Sequence, residues 1–161
     1  MSWHALPRVA VVGGGHASPQ ELAWAEAVGE GLGRAGVVLV CGGRGGVMEA
    51  ACRGAKRAKG LTIGILPGMD VAAANPYVDI SIVTGLGEAR NVLVVGNAQA
   101  VIAIGGAYGT LSEIALALRM GRLVVGLGTW DLSREGLDIP LLRVDSPQAA
   151  VETLLDVLDG F

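Results

Sequence analysis

Whatever chemistry this sequence carries resides in three glycine-rich runs and two ionisable residues. The runs are Gly13-Gly14-Gly15, Gly42-Gly43-Arg44-Gly45-Gly46 and Gly105-Gly106-Ala107-Tyr108-Gly109-Thr110. Where side chains are missing, backbone amides can close on an anion such as phosphate, and a helix that starts there adds its dipole to the attraction. One such run alone could simply serve turn geometry; three brought to one place make a binding site. Arg90 is read as lying in the first turn of a helix, where a cation opposes the dipole, so an anionic partner would explain its placement. Glu113 completes Thr110-Leu111-Ser112-Glu113, which fits a helix-capping box. The same carboxylate at the mouth of a phosphate crevice could instead contact a sugar hydroxyl or stabilise positive charge on a sugar ring. His16 is a candidate contact or a solvent-facing loop residue, Glu49 an ordinary acid of a helix first turn, and Tyr108 either stacks on a base or packs over its own loop.

The elements that must position these groups follow from short apolar runs at 9–12, 37–40, 61–66, 80–83, 100–104 and 123–125, with an edge strand expected at 141–144. Runs of Val, Ile, Leu and Ala without alternation describe strands buried on both faces, as in a parallel sheet. Helix-compatible stretches at 19–35, 47–59, 88–98, 111–120 and 147–158 separate them. The expected fold is α/β, a three-layer, doubly wound, mainly parallel sheet of Rossmann-like type forming one domain over residues 1–161. In such a sheet all strand-to-helix loops leave at one edge, so the three glycine runs converge there. Asn75-Pro76 marks a turn within one longer loop, 67–79.

Composition narrows the function. Of 161 residues 52% are hydrophobic but only 4% aromatic, and 26 are glycine, which suits a core of aliphatic side chains with many close backbone approaches. A net charge of -3 gives no basic footprint for nucleic acid. Cys41 and Cys52 have neither metal-ligand spacing nor a disulfide framework, so no metal site is expected and a reducing cytoplasm is the expected compartment. The segment 1–8 holds no long apolar run, and the uncharged stretch 91–112 is broken by Asn97, Gln99 and glycines, so neither a signal peptide nor a membrane span is expected. Ser18 stands where G-x-G-x-x-G needs its third glycine, and no acid ends the second strand, which disfavours a dinucleotide cofactor. No P-loop motif occurs. The two lysines, Lys56 and Lys59, fall near a helix C-terminus at the far edge, which excludes a pyridoxal Schiff base at the crevice.

The run from Ala103 to Glu113, with Arg90 upstream and Cys41-Gly42-Gly43-Arg44-Gly45-Gly46-Val47-Met48 before it, resembles the superfamily once labelled lysine decarboxylase-like. That superfamily includes the LONELY GUY cytokinin-activating phosphoribohydrolases and the molybdenum-cofactor carrier proteins, and the resemblance spans nearly the whole chain. The hydrolase branch reads P-G-G-x-G-T-x-x-E with an Arg-Lys pair on the preceding helix; here Ile104 replaces the proline and Asn91 the lysine. By this resemblance Arg90 and Glu113 match the catalytic arginine and glutamate of the hydrolases, while the lysine's role is vacant. The Arg90-Asn91 pair and Ile104-Gly105-Gly106 are more similar to the carrier branch, whose members hold a phosphorylated pterin cofactor.

The resemblance implies a homo-oligomer that binds a small phosphorylated ligand, either the molybdenum cofactor or a nucleoside monophosphate; no cofactor of its own is expected to be required. Gly13, Gly14, Gly15, Gly42, Gly43, Gly45, Gly46, Arg90, Asn91, Gly105, Gly106, Gly109, Thr110 and Glu113 are the expected ligand contacts. The alternative is hydrolysis of the N-glycosidic bond of a nucleoside 5′-monophosphate, with Arg90 on the phosphate or the departing base and Glu113 stabilising an oxocarbenium-like transition state. A third possibility is a signalling or structural domain that has lost its ligand.

Overall fold

The computed structural model describes residues 6–159. Most of the segment read for a signal peptide, residues 1–5, and residues 160–161 lie outside the described residues. The apolar runs form seven strands: β1 (Arg8–Gly13), β2 (Val38–Cys41), β3 (Thr62–Leu66), β4 (Ile80–Val83), β5 (Ala100–Ile104), β6 (Leu123–Leu127) and β7 (Leu141–Val144). Every pairing is parallel, and the order across the sheet is β4-β3-β2-β1-β5-β6-β7. The chain winds outward from β1 to β4, returns to β5 beside β1, and winds outward again the other way. The reversal therefore lies between β1 and β5, where Gly13 pairs with Ile104 at the strand ends.

Side chains that alternate along the central strands build two cores. Val9, Val11, Leu39, Ile102 and Ile104 pack under α1 (Pro19–Arg34), α2 (Val47–Arg57) and α5 (Pro147–Leu158). Ala10, Val12, Val40, Val101 and Ala103 face α3 (Asn91–Gly96) and α4 (Tyr108–Arg119) on the other side. Each fully buried Val, Leu or Ile contributes roughly 1.5–3 kcal/mol, and such side chains anchor β6 as well as β1 and β5, the strands that flank the reversal. The three-layer, doubly wound parallel architecture is as expected. Cys41 and Cys52 are free thiols buried between β2 and α2, their sulfurs 3.5 Å apart. Among the described residues no helix is long and apolar enough to cross a membrane.

Four local expectations need correction. The strand at 80–83 is not buried on both faces: β4 closes one edge of the sheet and leaves Ile80 and Ile82 45% and 44% exposed. The stretch read as one helix over 88–98 is a 3-10 turn, Gly87–Arg90, running into the six-residue α3. The helix expected from 111 begins at Tyr108, with Ala107 as its N-cap, so Thr110 and Glu113 are not a capping box. Gly106, at φ +93°, lets the chain enter the helix early, and the Thr110 side chain packs against the spot a Cβ at Gly106 would fill. The capping box of this chain is elsewhere: Ser18 Oγ accepts from the Glu21 amide at 3.1 Å, and Glu21 Oε1 accepts from the Ser18 amide at 3.3 Å. The residue that breaks the dinucleotide fingerprint is therefore the one that starts α1.

Candidate ligand-binding site

At the C-terminal ends of β1 and β5 the sheet opens into a cleft of about 410 Å³, at the reversal of strand order where open α/β sheets bind ligands. Gly13, Gly14 and Gly15 form one wall, Gly42 and Arg44 a second, and Ala107, Gly109, Thr110 and Glu113 a third, with Pro67, Glu88, Arg90 and Asn91 completing it. The Gly13 wall is tightly set: a Cβ there would meet Ile104 O and the Val47 side chain, each at 2.6 Å. Gly14 O accepts from the Val47 amide at 3.1 Å, which ties the first glycine run to the start of α2.

Arg90 is the N-cap residue of α3, yet its side chain is buried, with only 8% exposed. It passes beneath Gly42, where the guanidinium takes the space a Cβ would need. Its Nη1 donates to Ile65 O at 3.1 Å, while its Nε, also buried, has no hydrogen-bond partner among the described residues. A buried cation with an unpaired donor is costly, and because Arg90 lines the cleft an anion there would offset its charge. Glu113, 8% exposed, faces the same cleft from the second turn of α4. Burial pushes its carboxyl up to about 8; Arg90 pulls the other way through space, and Glu88 adds to the rise. At neutral pH the site is thus a permanent cation beside a carboxylic acid that is mostly protonated.

Asn91 lines the cleft, but its Nδ2 donates to Ser112 Oγ at 3.1 Å, and Ser112 Oγ donates to Gly109 O at 2.7 Å. That pair stitches α3 to the third glycine run. Asn75, from the 67–79 loop, does the same for the second: its Nδ2 donates to Arg44 O at 2.9 Å, and its backbone amide donates to Gly43 O at 2.8 Å. The longer loop thus holds the second glycine run in place.

Of the expected contacts, Gly13, Gly14, Gly15, Gly42, Arg90, Asn91, Gly109, Thr110 and Glu113 line the cleft. Gly43, Gly45, Gly46, Gly105 and Gly106 do not. Gly43, at φ +76°, abuts Leu66 and Gly64, and Gly46, at φ +65°, is the N-cap of α2 against Gly15, so both shape the loop. Gly105 binds Leu127 O through its amide and accepts from Thr129 Oγ1 at 2.6 Å, which turns it towards β6. Gly105 and Gly106 border a separate groove with Glu21 and Trp130, and His16 and Glu49 another with Arg53. Tyr108, 80% exposed, tilts against Trp130 with ring centroids 6.0 Å apart. Arg44, Met48, Pro67 and Glu88 line the cleft and were not anticipated. Arg44, Met48 and Glu88 had a legible signal, since the first two belong to the run 41–48 that carries the resemblance and the third lies two residues before Arg90; Pro67 had none. Lys56, by contrast, is at the far edge of the sheet as expected, bonded to Asp79 Oδ2 at 2.7 Å.

A parallel α/β sheet with a glycine-walled cleft at its reversal defines a class of small-ligand-binding domains. Within it, residues 6–151 match the SLOG cluster4 family, and the chain belongs to that family. An uncharacterized protein of Archaeoglobus fulgidus is 44% identical over 122 residues, 76% of this chain and 80% of its own. The molybdenum cofactor binding protein from Rippkaea orientalis superposes with a TM-score of 0.88 at 41% identity, covering 95% of this chain and 98% of that one. The molybdenum cofactor carrier protein of Chlamydomonas reinhardtii superposes with a TM-score of 0.85 at 33% identity, covering 96% and 99%. The resemblance to the carrier branch, drawn from the Arg90-Asn91 pair and Ile104-Gly105-Gly106, agrees with these neighbours.

Proposed function

We propose that this chain is a cytoplasmic carrier that holds a phosphorylated pterin of the molybdenum-cofactor kind in the cleft between β1 and β5, as one domain in a homo-oligomer. The observation that carries the reading is Arg90: a buried guanidinium, anchored by one nitrogen on Ile65 O and unpaired at Nε, inside a glycine-walled cleft. The phosphate would sit against Arg90 and the amides of Gly13–Gly15 and Gly42, and the pterin would fill the remainder of the cleft. The Rippkaea and Chlamydomonas proteins, which cover almost the whole chain, support a cargo of this type.

The hydrolase alternative fits less well. A glutamic acid that keeps its proton near pH 7 offers no negative charge to a developing oxocarbenium ion, and Asn91 is committed to Ser112. The test is to purify the chain from cells that make the cofactor, denature it, and measure pterin fluorescence and molybdenum. The expected result is near-stoichiometric pterin in the wild type and none with Arg90→Ala. Pterin-free protein that releases adenine from AMP would overturn the carrier reading in favour of the hydrolase.

A further inference from the structure

The cleft sets an acid in the path of an anion. Glu113 and Glu88 share the lining with Arg90, and the Glu113 carboxyl makes no hydrogen bond among the described residues. A buried carboxylate with no donor of its own would stand against any oxyanion that reached Arg90. The same carboxyl carrying a proton becomes an O–H donor aimed into the cleft. We propose that the site takes its phosphorylated ligand together with one proton, held on Glu113, whose O–H donates to the ligand's oxyanion beside the Arg90 guanidinium. The inference rests on the anion-binding reading of the cleft and deepens it: affinity becomes coupled to pH, and full occupancy belongs to neutral or mildly acidic conditions.

The groups around Glu113 are consistent with this. Arg90 faces it from the 3-10 turn before α3, Glu88 from the same turn, and Arg44 from the second glycine run at an exposed position. The buried Cys41 thiol at the end of β2 lies within electrostatic reach of both Arg90 and Glu113. Asn91, the nearest neutral donor on α3, is already bonded to Ser112. Arg90 alone favours the ionised form of Glu113, and burial together with Glu88 outweighs it, leaving the carboxyl up at about 8. An incoming dianion adds a further negative charge at the same spot and raises the group again, so binding near pH 8 draws a proton from solution.

The experiment titrates 5′-AMP, whose phosphate has its second ionisation near 6 and stays dianionic above pH 7, into the full chain by calorimetry from pH 7 to 9.5. Buffers of different ionisation enthalpy count the protons taken up. In the wild type, affinity falls above pH 8 towards tenfold per pH unit, with proton uptake on binding. In Glu113→Gln, whose amide donates without titrating, affinity stays level across the range and proton uptake vanishes. In Glu88→Gln, which removes a charge that favours the acid, the fall begins at lower pH. A wild-type affinity that does not change with pH, or a Glu113→Gln protein that binds more than tenfold more weakly at pH 7, overturns the proton coupling while leaving the anion site intact. No binding by any of the proteins at any pH overturns the anion site itself. Inorganic sulfate, which does not titrate in this range, run in parallel separates oxyanion recognition from contacts to the base: the same pH profile with sulfate supports the proposal, and a profile seen only with AMP overturns it.

Discussion

Three side chains and one missing side chain set the character of the cleft. Arg90 supplies fixed charge, Glu113 a proton and Asn75 the bracing of the second loop, while the absence of a side chain at Gly42 leaves room for the guanidinium. The Gly42 backbone is not in the left-handed region, so its requirement for glycine is purely steric. Gly42→Ala is therefore expected to push Arg90 off Ile65 O and weaken binding of a phosphate monoester at least tenfold, with little change in secondary structure. Calorimetry beside a far-ultraviolet spectrum checks this, and unimpaired binding would mean that Arg90 is not the anion's partner.

Among the elements, α1 and α2 approach closely enough that glycines stand where their backbones meet. A Cβ at Gly29 would collide with Ala51 O, and one at Gly54 with Glu26 O, so the two helix backbones touch. Glu26 also pairs across the junction with Arg53 at 3.3 Å and with Arg57. In an open helix, glycine to alanine stabilises by about 1 kcal/mol. Here the sign reverses: Gly29→Ala is expected to cost about 1–3 kcal/mol, because the helices must separate. Urea denaturation measures it, and a variant more stable than the wild type would show that the helices can part without loss. Because Gly46 is the N-cap of α2, a shift of that helix also moves the second glycine run, and ligand affinity should fall along with stability.

For the whole molecule, two carboxyls pull stability in opposite directions with pH. Burial of Asp79 works against its charge, but the bonds from Lys56 and Thr62 outweigh it and lower its pKa. Its contribution is present above the ordinary carboxylate range and fades as acid is added. Glu113 is raised from 4.5 to about 8, so between those values the folded chain holds a proton that the unfolded chain releases. Its contribution is complete below 4.5 and fades as pH climbs to 8. Glu113→Gln removes that loss. Its melting temperature should exceed that of the wild type at pH 8, with the gap closing towards pH 5, as followed by thermal shift. A variant that melts below the wild type at pH 8 would mean that Glu113 is ionised and structurally paired.

Uninterrupted aliphatic runs and glycine exits were enough to determine the parallel sheet, the layers and the edge at which the site lies, because burial on both faces and a crossover after each strand leave few other arrangements. Arg90 and Glu113 could be placed at that edge for the same reason. The sequence did not reveal which glycines face the ligand: Gly42 and Gly43 are neighbours, yet one borders the cleft and the other packs on β3, a matter of backbone angle and crossing chains. Nor did it reveal that the helix expected from 111 begins at Tyr108 and takes in Thr110, since the early start depends on Gly106 and on Thr110 fitting against it. The protonation of Glu113 was equally hidden, because desolvation and the nearness of Glu88 and Arg90 come from segments far apart in the chain that meet only when the sheet closes.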